Sequence, residues 1–262
     1  MVLVEHGSTF VIALFVGILA ALELGRRLGK RQLASPDGGP AGFGAVEGAV
    51  FGLLGLLLAF TFSGAAARFD DRRHLIREEA NAIGTAWLRL DVLPAEARAR
   101  LQQSFRLYLD SRISTYKQAD RLEQAMAEYA RSTALQGEIW SQAGAGCRQA
   151  DASPGACVLL LPALNEMIDI TTTRLAATRI HPPDAVFVLL AGLALAAALM
   201  AGHATAAKAR SWMHALGFAI AMALTIYVIF DLEFPRRGYI RVDEADALMI
   251  ELRQGMGEGP RP

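Results

Sequence analysis

Between Gly48 and Ala67 the chain carries no formal charge, and about 20 residues rising ~1.5 Å each cross the ~30 Å hydrocarbon core of a bilayer. No Gly or Pro then interrupts Ala65 to Ile83, where the sequence turns charged while keeping helical spacing. One rod is therefore expected to run from a membrane span into a polar domain. Gly44, Gly48 and Gly52 recur every four residues, and Gly55, Ala59 and Ser63 continue a small-residue stripe. Such a face admits another helix at close range. The alternative is a face that lines a pore, with Gly48, Gly52 and Gly55 along it and Phe60 and Phe62 as constriction residues near the membrane exit.

A 53% hydrophobic composition and a mean hydropathy of +0.30 are high for a soluble protein. The excess falls in blocks, which predict four transmembrane helices over residues 8–28, 44–67, 184–203 and 211–231. The first block is not patterned as a cleaved leader: Glu5 and His6 precede the apolar run, and Arg26, Arg27, Lys30 and Arg31 follow it. The turn-rich connector Ser35 to Pro40 leads into the second span. Formal net charge is zero and the pI about 7.0, so the whole-chain balance offers no nucleic-acid surface.

Residues 68–183 read as a helical domain inserted between spans two and three. Leu75, Ile76, Ala80, Ile83, Trp87 and Leu90 share one side of the rod, and Pro94 ends it. Leu101, Phe105, Tyr108, Leu109, Ile113 and Tyr116 keep the same spacing in a second helix. A third covers 118–142 and a fourth 158–180, before His181, Pro182 and Pro183 reset the direction. The fold class is thus all-α, with a polar tail over 232–262 that includes a short helical pattern near 242–252.

Cys147 and Cys157 flank a loop containing Gly, Pro and Ser. They read either as a disulfide, which needs an oxidising compartment, or as two free thiols. Zinc spacing is absent. Phosphate-binding glycine loops, nucleophile elbows, paired metal-ligand histidines and CxxC pairs are absent too, so neither an enzyme nor a cofactor is expected. The remaining polar constellation is Glu78, Glu79 and Asn81 on the rod with Asn165, Glu166 and Asp169 on the last domain helix. Antiparallel packing would bring the sets together as an ion or polar-network site; the alternative is pairing with Arg72, Arg77, Arg89 or Arg174.

Three stretches, FGLLGLLLAFTFSGAAARFDDRR running into EEANAIGTAWLRLDVLP, then YLDSRI, then FDLEFPRRGYIRV, resemble the bacterial bestrophin-like family of four-span membrane proteins. The resemblance covers nearly the whole chain apart from the cysteine loop and the extreme ends. It implies a multi-pass protein of the cell (inner) membrane and, by a further step, a homo-oligomeric ion channel of anion type. Phe60 and Phe62 resemble by position an aromatic neck on the second span, and Asp231 and Glu233 an acidic group after the fourth.

Cations in the two short connectors, Arg26, Arg27, Lys30, Arg31, Lys208 and Arg210, place those connectors in the cytoplasm and the helical domain outside. Arginines on the opposite face and the bestrophin analogy argue for the reverse. Two functions follow: an ion channel whose partners are lipid, ions and further copies of the chain, or a membrane-anchored sensor or scaffold whose helical domain binds a ligand or partner.

Overall fold

The computed structural model describes residues 7–35, 44–118, 121–236 and 238–257. Glu5, His6, Pro36 to Pro40, Arg237 and the last five residues lie outside them. Every regular element among the described residues is helical: α1 (Gly7–Leu33), α2 (Gly44–Leu88), a 3-10 turn (Arg89–Val92), α3 (Ala95–Lys117), α4 (Leu122–Gly146), α5 (Ala156–Ala177), α6 (Asp184–Ala204), α7 (Trp212–Glu233) and α8 (Asp243–Gly255). The chain divides into two compact units. The first comprises Met1–Ala67 and His181–Phe234, the second Arg68–Ile180 and Pro235–Pro262. The rod expected across the boundary is there: α2 is a single helix of 45 residues, about 67 Å long at ~1.5 Å per residue.

Five helices, rather than the four expected, are long and apolar enough to cross a membrane: α1, α2, α5, α6 and α7. The addition is α5, the least apolar of the five. It runs over 22 residues, and its inner side (Leu160, Ala163, Leu164, Met167) is buried in the core of the second unit.

In the first unit the tightest seam joins α1 to α6. A methyl group on Gly25 would sit 1.9 Å from the Leu199 carbonyl oxygen, and one on Gly202 would sit 2.0 Å from that of Leu22. Only hydrogen fits at these two places, so the backbones themselves are in contact, the small-residue packing of membrane helices. Gly192, in contrast, faces open space. Leu14, Ile18, Ala194, Ala198, Ala219 and Ile226 fill the junction of α1, α6 and α7. The first half of α2 joins through Leu54, which is packed with Leu190 and Ala197. Phe51 meets Phe218 edge-on at 6.3 Å.

The second unit has a conventional apolar core. Ile76 and Ile83 of α2, Leu101, Phe105 and Leu109 of α3, Ile139 of α4, Leu164 of α5 and Met249 of α8 all converge there. Full burial of each large side chain contributes roughly 1.5–3 kcal/mol. Pro94 stands immediately before α3, after the 3-10 turn has ended the rod. A proline there loses no helical hydrogen bond and sets the new direction. Cys147 and Cys157 are joined, with Cα atoms 5.1 Å apart. Gly155 takes φ +77° to start α5, a conformation that glycine adopts without a side-chain clash. The tail is more than a polar extension: α8 runs on to Gly255, and Val242, Ala245, Met249 and Met256 are buried in the core.

Candidate functional site

Three features carry chemistry, and the sequence pointed at each of them incompletely. The first is the outer side of α2 in the first unit. Among the described residues nothing else packs within 4 Å of where a Cβ would stand on Gly44, Gly48, Gly52 or Gly55, so the stripe forms no packing seam with them. Phe60 and Phe62 are exposed, at 68% and 45%. Seven residues turn a helix through about 700°, which aligns Gly48, Gly55 and Phe62, whereas Phe60 and Phe62 stand about 200° apart. Only Phe62 therefore shares the glycine line; the two rings cannot narrow one axis from one helix.

The second feature is an open groove of about 650 Å³ in the second unit, lined among others by Glu78, Asn81, Asn165, Glu166, Asp169 and Thr173. Antiparallel packing of α2 against α5 brings Glu78 and Asn81 beside Asn165, Glu166 and Asp169. The Asn165 side chain donates to Asp169 Oδ2 at 2.9 Å, and His74 lies 3.4 Å from Glu78. No group of three or more metal-ligating side chains forms among the described residues.

Glu79 departs from that set. It is fully buried on another side of α2, where Arg112 Nε donates to Oε1 at 2.5 Å and Arg174 Nη1 to Oε2 at 2.6 Å. Burial alone would push the Glu79 carboxyl up, but the two guanidiniums outweigh it and hold it below the usual carboxylate range. Arg174 Nη2 continues to Asp246 at 3.0 Å, and Arg236 reaches the other Asp246 oxygen at 2.8 Å. Arg112, Arg174 and Arg236 surround the Tyr116 ring at 5.1, 3.5 and 4.9 Å. Burial is also the main reason that the Tyr116 hydroxyl is raised above the ordinary phenol range. This third feature is a buried ion cluster that joins α2, α3, α5 and α8 and anchors the tail.

The sequence reading names Arg174 as a partner of the constellation but does not reach Arg112, Asp246 or Arg236. A signal existed. Arg112 falls three and four residues after Leu109 and Tyr108, and Glu79 falls three after Ile76 and four before Ile83. Both occupy the apolar side of their helices, where a charge requires a buried partner. Asp231 and Glu233, 4% and 0% exposed, close α7 inside the first unit. His181 Nδ1 lies 3.0 Å from Glu233, and the Phe234 ring stacks on His181 at 4.6 Å.

Among solved structures, the fold is similar to a crystal structure of a bacterial bestrophin homologue from Klebsiella pneumoniae carrying a point mutation. That match has a TM-score of 0.73 at 15% identity and covers 95% of this chain and 99% of that one. A second point mutant of the Klebsiella pneumoniae homologue matches with a TM-score of 0.71 at 15% identity, over 94% and 96% of the two chains. A mutant structure described as a membrane protein matches with a TM-score of 0.70 at 14% identity, over 93% and 98%. A search of curated proteins finds no match. The model of the bestrophin-like domain matches residues 11–247, and with nearly the whole chain inside it, this protein belongs to the bestrophin-like family.

Proposed function

We propose that the chain is a protomer of a homo-oligomeric ion channel of the cell membrane, anion-conducting by analogy with bestrophins, with the glycine face of α2 toward the pore. The observation that carries this reading is the outward side of α2: an uncharged stripe of small residues, ending at Phe62, that no other part of the described residues covers. Four spans serve the channel: α1, the first half of α2, α6 and α7. The α5 helix stays out of the bilayer because its outer side carries Glu166 and Asp169, which are costly in hydrocarbon. Cytoplasmic connectors and an extracytoplasmic second unit are supported by two features, the cations after α1 and α6 and the Cys147–Cys157 bridge. Asp231 and Glu233, buried at the end of α7, serve as fixed acidic groups of the channel body.

Ion flux from the purified chain in liposomes, with oligomer size measured on the same preparation, tests the reading. Selective flux from a ring-sized assembly that Phe62→Ala alters more than Phe60→Ala is expected. A folded monomer or dimer that passes no ions across varied pH, calcium and voltage overturns it. The groove at Glu78, Asn81, Glu166 and Asp169 favours the second reading, a membrane-anchored sensor or scaffold whose second unit takes up a polar ligand or partner.

A further inference from the structure

At one end of the first unit, cations from two separate segments are gathered with few carboxylates among them. The α1 helix continues past its apolar part and carries Arg26, Arg27, Lys30 and Arg31 within about 140° of arc. The connector between α6 and α7 contributes Lys208 and Arg210. These segments are held together by defined contacts. Arg26 donates to the Lys208 carbonyl at 2.6 Å, and a methyl group on Gly29 would sit 2.6 Å from the Ala206 Cβ. Glu23 bridges Arg27 at 2.9 Å and Arg210 at 3.0 Å. Glu23 is the carboxylate that these contacts hold among the six cations, so positive charge remains in excess among the described residues. Lys30, Arg31 and Lys208 are exposed and make no ion pair among the described residues.

The height of this surface relative to lipid is marked by Trp212. This residue is 56% exposed, and the Arg210 guanidinium stacks on its ring at 3.9 Å. An exposed Trp at the start of an apolar helix sits at headgroup level, which brings the stacked guanidinium and its neighbours to the depth of lipid phosphates. We infer that this end of the first unit is a docking surface for anionic phospholipid headgroups, with Lys30, Arg31 and Lys208 as the phosphate-binding cations and the Arg210–Trp212 stack as the depth anchor. The inference rests on the reading of the first unit as the membrane-embedded part.

The test uses the full chain in detergent with added phosphatidylglycerol or phosphatidylcholine of matched acyl chains, and native mass spectrometry counts the retained lipid. Phosphatidylglycerol should be retained in preference, and each of Lys30→Gln, Arg31→Gln and Lys208→Gln should lower that preference by about fivefold. Arg77→Gln, Arg121→Gln and Arg148→Gln, which remove the same charge from the second unit, should leave it unchanged. Equal retention of the two lipids, or an unchanged preference in the three single variants, overturns the inference. Displacement by millimolar inorganic phosphate also overturns it, since the surface would then take free phosphate rather than lipid. Liposome flotation separates the two levels: a chain that floats without lipid preference refutes only the docking surface, and one that does not float refutes the membrane reading beneath it.

Discussion

The two halves of α2 face opposite packing problems. Up to Ala67 the helix is apolar, and much of its surface, including Gly44, Gly48, Gly52 and Gly55, has no neighbour among the described residues. From Arg68 it is charged, yet it buries Ile76, Glu79, Ala80, Ile83 and Ala86. Apolar residues left outside and a carboxylate held inside invert the usual arrangement of a soluble protein. The inversion is understandable if the first half is solvated by lipid and by other copies of the chain. The second half joins an apolar core, and there a buried charge is tolerated because two guanidiniums pair with it.

The sharpest way to break this contrast is at Glu79. Glu79→Ala leaves Arg112 and Arg174 buried without their counter-charge, and a loss of about 3–5 kcal/mol is expected. Glu78→Ala, on the exposed side one residue away, should stay within about 0.5 kcal/mol. Denaturant unfolding of the second unit, followed by the fluorescence of Trp87 and Trp140, reads both. The same site governs acid stability. Because the folded-state pKa of Glu79 lies below the ordinary value of 4.5, its contribution is complete above that value and disappears as pH falls through the lower folded-state one. The Glu79→Gln variant should therefore lack that share of the acid-induced loss, measured by unfolding at stepped pH.

A smaller effect is expected at the Cys147–Cys157 bridge, which closes a short loop between α4 and α5. Cys157→Ser should cost about 2–3 kcal/mol by chain entropy, and a reducing agent should shift the midpoint of the wild type but not of the variant.

The smallest contrast lies within the first unit. Gly202→Ala forces apart two backbones in contact and should cost about 1–3 kcal/mol. Gly52→Ala, into open space, should leave the protomer as stable or gain about 0.5–1 kcal/mol from helix propensity. If Gly52→Ala nevertheless disrupts the assembly, another copy of the chain covers that face, and thermal unfolding run beside size-exclusion chromatography would show the difference.

Much of this was readable in one dimension because it depends on local periodicity. Uncharged runs predict helices long enough to span, three-to-four spacing predicts the domain helices, and an unbroken junction predicts one rod. The Glu78, Asn81, Glu166 and Asp169 groove was legible for the same reason, since each set occupies one side of one helix. Partner choice was not. Gly25 and Gly202 make backbone contact while Gly48, Gly52 and Gly55 meet nothing among the described residues, although all five are glycines inside helices; a small residue permits close approach without specifying what approaches. Glu79 and Glu78 are adjacent in sequence, but one residue step turns the helix by about 100°, and only the placement of α3, α5 and α8 decided that Glu79 meets buried arginines and Glu78 lines an open groove. The sequence by itself determined which stretches are helical and which of their sides are apolar. Tertiary structure alone decided which charges were paired, because a buried ion pair joins residues far apart in the chain and leaves no periodic trace in it.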